Sequence, residues 1–418
     1  MALPFFIISF FNNPVGDDYW ITALVREHGY FPAQKILFNT VNPRYSALAI
    51  SAVSPLTFGN FWLYKVIPLI FILLFWRIIA YLIRSIIQVD ASRKDIDFLS
   101  AVIIITYLTL MPGMGEGLYW ISSLVCYQLG LLFLCLWISL WIRIYTKPGR
   151  NILYGLSSCI VLAVMLGFIE LLNMIATGSI LLVLVYRMYK RKSIGWELIM
   201  LVITLFSWYI LLSAGSSSRR YFSVIEKREV SLLYATRFAF MQVGYNIVKA
   251  CVNPFLWIGI LLIIAPLKRL LPYLRIYLNW PRKQLYFLIV IWGGSMLMLS
   301  LATCYVNEGH IVPLRVTNMI IFIFLMGIIG TGSILFGELL TQEKIGVILR
   351  PERMYLAIGV LFLAGIFLTN NYSTATTELV SGKLYRYEKQ MQQRYELLQN
   401  CKEKLCPIPY LKNLPTTV

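Results

Sequence analysis

Long apolar runs, separated by short polar, basic or Pro/Gly-containing joints, dominate this chain. Several of them reach the roughly 20 residues that a helix needs to cross a hydrocarbon core of about 30 Å. The alternation of a spanning β-strand is absent, so the runs predict helices. We therefore expect an all-α fold with about eleven transmembrane helices, near 1–11, 61–83, 98–111, 119–144, 152–167, 171–186, 196–212, 255–267, 286–304, 316–336 and 354–368.

One run is too long for a single span. Residues 151–186 contain one charge, Glu170, and as a single helix they would be about 54 Å long, well beyond bilayer thickness. We expect a helical hairpin with Glu170 near its tip. The first run is shorter than a span, so either this helix enters the membrane partway or Met1 is a late start. No cleavable signal-peptide pattern is visible.

Composition supports a polytopic membrane protein. Hydrophobic residues make up 59% of the chain and charged residues 13%, whereas soluble domains carry about 25% charged residues. The formal net charge of +18 is dispersed over many short joints. Positive charge concentrates in cytoplasmic loops, which places the basic joints inside and most acids outside. Membrane lipids are expected partners, and nucleic acid is not.

Two parts of the chain are expected to fold outside the cytoplasm. Residues 1–369 form the predicted transmembrane domain, and its long first outer loop, 12–60, is predicted to contain an interfacial helix. Residues 370–418 are predicted to be an extracytoplasmic helical tail that packs back on the outer loops. The apolar face of the interfacial helix is Trp20, Ile21, Leu24, Val25 and His28, and that of the tail is Leu384, Tyr387, Met391, Tyr395 and Leu398.

Adjacent carboxylates follow the first apolar run. Asp17 and Asp18 come directly after Gly16, at the expected depth of the lipid head groups. Such a pair suits catalysis on a membrane-borne substrate. The alternative is helix capping, since Asp is a preferred N-cap residue and its charge suits the helix dipole.

Two more outer acids are candidates for the same site. Glu116 lies in a glycine-rich turn beside Tyr119 and Trp120, and Glu170 lies among apolar residues at its hairpin tip. An ionisable group in apolar company is a functional candidate, although solvation at the interface explains it as well. We expect all four acids to surround one cavity.

Outer basic residues supply a complement to these acids. Arg219 and Arg220 are adjacent, and Arg315 begins the tenth run. Arginine pairs bidentately with phosphate oxygens, so these residues are candidates for binding a phospholipid-linked substrate. They could equally pair with nearby acids or with lipid head groups. His310 is a further candidate, although a lone histidine is more often a hydrogen-bonded turn residue.

Cysteine and metal chemistry is limited. Cys401 and Cys406 could form a small disulfide on the oxidising side, and the other cysteines suit packing. The outer acids offer oxygen ligands of the Mg²⁺ or Mn²⁺ type, but a metal is not demanded, and the His and Cys content argues against zinc. Nucleotide-binding glycine loops and HExxH are absent, so ATP-driven transport and zinc proteolysis have no support.

Four features carry a family resemblance. Gly16-Asp17-Asp18-Tyr19-Trp20, the turn Gly115–Trp120 and the many-helix layout resemble the GT-C class of integral-membrane glycosyltransferases, within it a bacterial branch related to the serotype-converting glucosyltransferases. The tail, from Ser381 to Pro409, also resembles the ending of that branch. The short first run departs from the family pattern.

The resemblance implies an activity. Such enzymes transfer a sugar from a polyprenyl-phosphate donor outside the cytoplasmic membrane, to a cell-envelope glycan or lipid acceptor. A first-loop acid acts in catalysis, a role that falls here on Asp17 or Asp18 as the base of an inverting transfer. Glu116 and Glu170 would support it, and Arg219, Arg220 and Arg315 would stabilise the leaving phosphate. A flippase or transporter of lipid-linked sugars, a polysaccharide polymerase or ligase, and a structural subunit remain alternatives.

The charge asymmetry predicts a testable topology. Cysteines introduced in 12–60 should react with a membrane-impermeant maleimide from outside intact cells, and a cysteine at Asn151 should not. Labelling of both positions from one side would contradict the orientation that the basic joints predict.

Overall fold

The described part of the protein is all-α, with helices joined by turns and loops. A computed structural model describes residues 2–87, 92–216, 231–278, 282–306, 312–340, 351–402 and 406–417, and no strand occurs in these ranges. The helices are α1 (Leu3–Ile8), α2 (Asp17–His28), α3 (Tyr30–Thr40), α4 (Tyr45–Ala52), α5 (Phe61–Ile87), α6 (Arg93–Leu110), α7 (Ile121–Thr146), α8 (Asn151–Leu166), α9 (Glu170–Tyr189), α10 (Gly195–Ser213), α11 (Leu232–Val252), α12 (Pro254–Leu278), α13 (Arg282–Val306), α14 (Leu314–Leu340), α15 (Pro351–Phe367), α16 (Asn371–Val380) and α17 (Lys383–Asn400).

Fewer helices qualify as membrane spans than the sequence predicts. In the described ranges six helices are long and apolar enough to cross a membrane, or up to eight if each of two bent helix pairs forms one span. The predicted eleven are not confirmed. The first run forms only the short α1, α6 carries charges at its amino end, and α8 is short. Two other predicted spans belong to the bent pairs α11–α12 and α15–α16.

The hairpin predicted for 151–186 is confirmed. α8 ends at Leu166 and α9 begins at Glu170, so Glu170 stands in the first turn after the tip. The tip also binds the first loop, because the Gly167 carbonyl accepts the N–H groups of Ser46 and Ala47 at 3.0 and 3.2 Å. These amides belong to the first turn of α4 and have no partner within that helix.

The connections gather at two ends of the helix bundle. At the end that we call the loop end, residues 12–60, the Met111–Ser123 segment, the α8–α9 tip and the tail from residue 370 contact one another. The opposite, basic end holds its acids in ion pairs with arginine, as in Asp95 with Arg269 at 2.5 Å. Apolar side chains cover the flanks between the two ends, and many are exposed, as a lipid-facing surface requires.

Residues 12–60 form a small three-helix unit. The predicted helix is present as α2, but its buried face is Asp18, Ile21, Thr22 and Val25, whereas Trp20 and His28 are exposed. Part of the predicted apolar face, Ile21 and Val25, is therefore turned into the protein, and the interfacial position of the helix stays a prediction. The two residues are buried because α3 and α4 pack on α2 and build a separate hydrophobic cluster, which contains Ile21, Val25, Ala33, Leu37, Leu48 and Ala52.

The tail packs on this unit, as the sequence predicts. Leu384, Tyr387 and Met391 of α17 are buried. Glu388 binds Lys65 at 2.5 Å and the Asn13 side-chain amide at 2.9 Å, which ties the tail to α5 and to the first loop. The predicted disulfide between Cys401 and Cys406 is formed.

The glycine-rich turn depends on a single asparagine. Asn318 of α14 donates to the Gly113 carbonyl at 2.8 Å and accepts from the Gly113 N–H at 3.0 Å. A Cβ on Gly117 would lie 2.4 Å from the Asn318 amide nitrogen. Glycine is needed at residue 117 because of this close approach.

We expect Gly117→Ala to destabilise the protein. The new methyl group must displace the Asn318 amide and leave the buried Gly113 groups unbonded, at about 1–3 kcal/mol for each. Thermal unfolding of the purified protein in detergent should show a melting temperature lower by several degrees. Gly178→Ala in α9 is the matched control, because no atom lies within 4 Å of a Cβ there. Equal melting temperatures for the two variants would contradict this account of the turn.

Candidate functional site

Asp18 is buried and fully bonded at the loop end. It is 5% exposed. One carboxylate oxygen accepts the N–H of Ser122 at 2.9 Å and its hydroxyl at 2.5 Å. The other oxygen accepts the Tyr64 hydroxyl at 2.7 Å and the Val15 N–H at 3.1 Å. Asp18 thus joins α2, α5 and α7.

These bonds make Asp18 a cap of α7. The N–H of Ser122 lies in the first turn of that helix, where amides lack intrahelical partners and the helix dipole favours a negative charge. The N-cap of α2 itself is Gly16, at a φ of +41°. Asp18 therefore caps a helix, but that helix is α7, whereas the sequence suggested α2. Burial raises the pKa of Asp18, and the bonds from Ser122, Tyr64 and Val15 offset that effect only in part.

Asp17 differs from Asp18 in exposure and in hydrogen bonding. Its side chain is exposed in the first turn of α2. Among the residues that the structure describes, its carboxylate makes no hydrogen bond or ion pair. Asp17 is consequently the member of the pair whose oxygens are available to an external ligand.

A cavity of about 490 Å³ lies between the glycine-rich turn, the first loop and the tail. Of the four acids expected around one cavity, Glu116 lines this one, while Asp17, Asp18 and Glu170 do not. Glu116 belongs to a π-helical turn, Gly115–Tyr119, and such turns are frequent at functional sites. The remaining lining residues are Asn12, Val15, Pro112, Gly113, Met114, Gly115, Tyr119, Trp120, Leu314, Asn371, Thr374, Thr416 and Thr417.

Glu170 is an ion-pair partner. The Arg44 guanidinium binds its carboxylate at 3.0 and 3.1 Å, and both side chains are largely shielded from solvent. Sequence reasoning missed Arg44, because it lies in an aperiodic joint after Pro43. The pair stabilises the contact between the first loop and the α8–α9 tip, and the predicted catalytic role of Glu170 stays a prediction.

Of the basic residues predicted to bind the substrate phosphate, Arg315 lies within the described ranges. Its guanidinium lies 5.4 Å from the Trp120 ring centroid and 5.6 Å from that of Tyr127. Its Nε is buried, and in the described ranges it has no hydrogen-bond partner. Aromatic faces stabilise a cation but leave its N–H groups free. Arg315 can therefore still donate to an anionic ligand. Arg219, Arg220 and His310 lie outside the described residues.

The described residues contain no group of three or more His, Cys, Asp or Glu side chains placed to hold a metal ion. The outer acids named in the sequence analysis do not gather into one ligand set here, because Asp18 and Glu170 are bonded elsewhere. That these acids offer oxygen ligands of the Mg²⁺ or Mn²⁺ type stays a prediction.

No family model, curated protein or solved structure matches this chain. Its class is defined by its own features, which are apolar helices suited to a membrane and a polar, partly buried site at the loop end.

The two aspartates should separate in a stability measurement. Asp18→Asn places an amide among four donors, so at least one buried donor loses its acceptor, at about 1–3 kcal/mol. Asp17→Asn alters an exposed first-turn charge and should cost at most about 1 kcal/mol. Thermal unfolding in detergent, combined with limited proteolysis of 12–60, measures both effects. A melting temperature for Asp18→Asn equal to that of the wild type would show that the cap is dispensable.

Proposed function

We propose that the protein transfers a sugar from a polyprenyl-phosphate donor to a cell-envelope glycan or lipid acceptor, with inversion. In this proposal it is a multi-pass protein of the bacterial cytoplasmic membrane. The loop end and the tail face the extracytoplasmic side, and the basic end faces the cytoplasm. One observation carries the proposal: a free carboxylate, Asp17, adjoins an anchored one, Asp18, at the end of the bundle that also holds the cavity.

Asp17 is the proposed general base. A base must be able to accept a proton from the acceptor hydroxyl, which requires an oxygen that is not already occupied by donors. The exposure of Asp17 supports this role, and the four bonds to Asp18 argue for a positioning role there. Because Asp18 binds the first turn of α2 to the first turn of α7, it would keep Asp17 in a fixed position relative to the helix bundle.

Arg315 is the proposed partner of the leaving phosphate. Negative charge grows on that phosphate as the glycosidic bond breaks, and a preplaced guanidinium stabilises it without reorganisation. The unpartnered Nε of Arg315 supports this assignment. Arg44 and Arg315 both lie near Tyr127, and Glu170 pairs with Arg44. Glu170 therefore neutralises Arg44, and the charge of Arg315 stays available for the phosphate.

The proposal is tested most directly on Asp17. Asp17→Asn retains the size of the side chain but removes the proton acceptor, so transfer should fall by about 10²–10⁴-fold. The assay uses purified protein, a panel of labelled polyprenyl-phosphate sugars and an envelope glycan extract as acceptor. Glu27→Gln is the matched control, because it removes an exposed acid from the same helix; it should transfer as the wild type does.

Two outcomes would contradict the mechanism. Near-normal turnover of Asp17→Asn would make the assigned base wrong. If Asp18→Asn also retained normal turnover, a transporter of lipid-linked sugars would be the better interpretation. A loss of activity in Asp18→Asn supports a positioning role for Asp18 only if the melting temperature of that variant falls as well.

A further inference from the structure

Apart from Glu116, the cavity wall that the structure describes is neutral and offers hydrogen-bonding groups. Amide and hydroxyl groups come from Asn12, Asn371 and Thr374, and aromatic surface comes from Tyr119 and Trp120. No Lys, Arg or His lines it in the described part of the chain, so a phosphate would meet only neutral groups and the Glu116 carboxylate. Its volume falls within the about 300–1,000 Å³ of small-molecule sites. The chemistry suits an uncharged, hydroxyl-rich ligand.

Two buried donors on this wall lack acceptors. Asn12 is 1% exposed, and its amide nitrogen has no hydrogen-bond partner among the described residues. The indole N–H of Trp120 is also buried and has no hydrogen-bond partner among the described residues. Buried donors are usually satisfied in folded proteins, and both of these residues line the cavity, so a ligand with acceptor oxygens would satisfy them.

The tail supplies the facing wall through a built contact. Glu378 of α16 is 4% exposed. Its carboxylate accepts the N–H groups of Thr416 and Thr417 at 2.7 and 3.3 Å and both threonine hydroxyls, and it pairs with Lys383 at 2.9 Å. Thr416 and Thr417 are thereby fixed against the cavity.

The segment that leads to these threonines is held along its length. After the disulfide it runs back beside α17, where Arg394 donates to the Pro409 carbonyl at 3.1 Å. Farther along, the Gln390 side chain bonds both backbone groups of Lys412 at 2.8 and 3.1 Å. These side-chain hydrogen bonds to the backbone at Pro409 and Lys412 fix the segment beside α17.

We infer that the cavity binds a neutral saccharide, with Asn12 and Trp120 as donors to its oxygens and Thr416–Thr417 as a wall that Glu378 positions. That this saccharide belongs to the acceptor rests on the proposed function. The binding site itself rests on the cavity.

The first test uses a reporter cysteine. Thr374→Cys in the full chain, reconstituted in nanodiscs, is labelled with a soluble maleimide in the presence of neutral mono- and disaccharides. A saccharide should slow labelling, and polyethylene glycol of equal osmolality should not. Adding Asn12→Leu should raise the half-protecting concentration at least about tenfold, with a melting temperature equal to or above that of the parent. Removal of an unsatisfied buried donor costs no bond, so a purely structural asparagine would not behave in this way.

The second test addresses the wall. Glu378→Gln should weaken protection to a similar extent, whereas Glu396→Gln on the exposed side of α17 should not. Thr417→Val, which removes one bond to Glu378, serves if Glu378→Gln does not fold. In the transfer assay the same variants should raise the KM for acceptor and leave kcat unchanged.

The outcomes separate the two proposals. Absence of protection by every saccharide, or normal protection in Asn12→Leu, would overturn the saccharide site. Normal protection in the Glu378 and Thr417 variants would overturn the role of the wall. Protection without transfer from any donor would overturn the proposed function and retain the site.

Discussion

The loop end depends on the burial of one carboxylate. Asp18 can be taken out of water only because Ser122, Tyr64 and Val15 donate to both of its oxygens. An unbonded buried carboxylate would be far too costly. These donors come from the first turn of α7, from α5 and from the chain before α2, so satisfying one charge fixes three segments at once. The dipole of α7 adds to the same contact.

Acidic residues act mainly as ties in this protein. Asp18 connects the first loop to α7, Glu388 connects the tail to α5, and Glu378 holds the end of the return segment. Each is paired or hydrogen-bonded, as acids in a low-dielectric setting must be. Asp17 and Glu116 differ, since neither carboxylate makes a hydrogen bond or an ion pair with the described residues. This contrast, more than the mere presence of acids, distinguishes candidates for chemistry from structural groups.

Local patterns were predictable from the sequence, and long-range partners were not. The length of an apolar run was enough to predict the hairpin around Glu170. A spacing of three and four predicted the apolar stripe of α17, of which Leu384, Tyr387 and Met391 are buried and Leu398 is exposed. The contact that buries one face of α2 under α3 and α4 was not predictable, because no periodicity in α2 encodes it. The predicted eleven spans are not confirmed in the described ranges, where short helices and members of bent pairs resemble spans in composition. Arg44 and Ser122 could not be assigned to their acids, since a single sequence contains no signal for pairs more than a hundred residues apart.

The position of Trp120 links these observations. It immediately precedes α7, two residues before Ser122, whose N–H and hydroxyl bind Asp18. Trp120 lines the cavity, and its ring centroid lies 5.4 Å from the Arg315 guanidinium. A lipid-linked phosphate needs a cation shielded from water, whereas a saccharide needs neutral hydrogen-bonding groups and an aromatic surface. In the proposed transfer, this indole would separate the phosphate at Arg315 from the saccharide in the cavity while keeping the two close together.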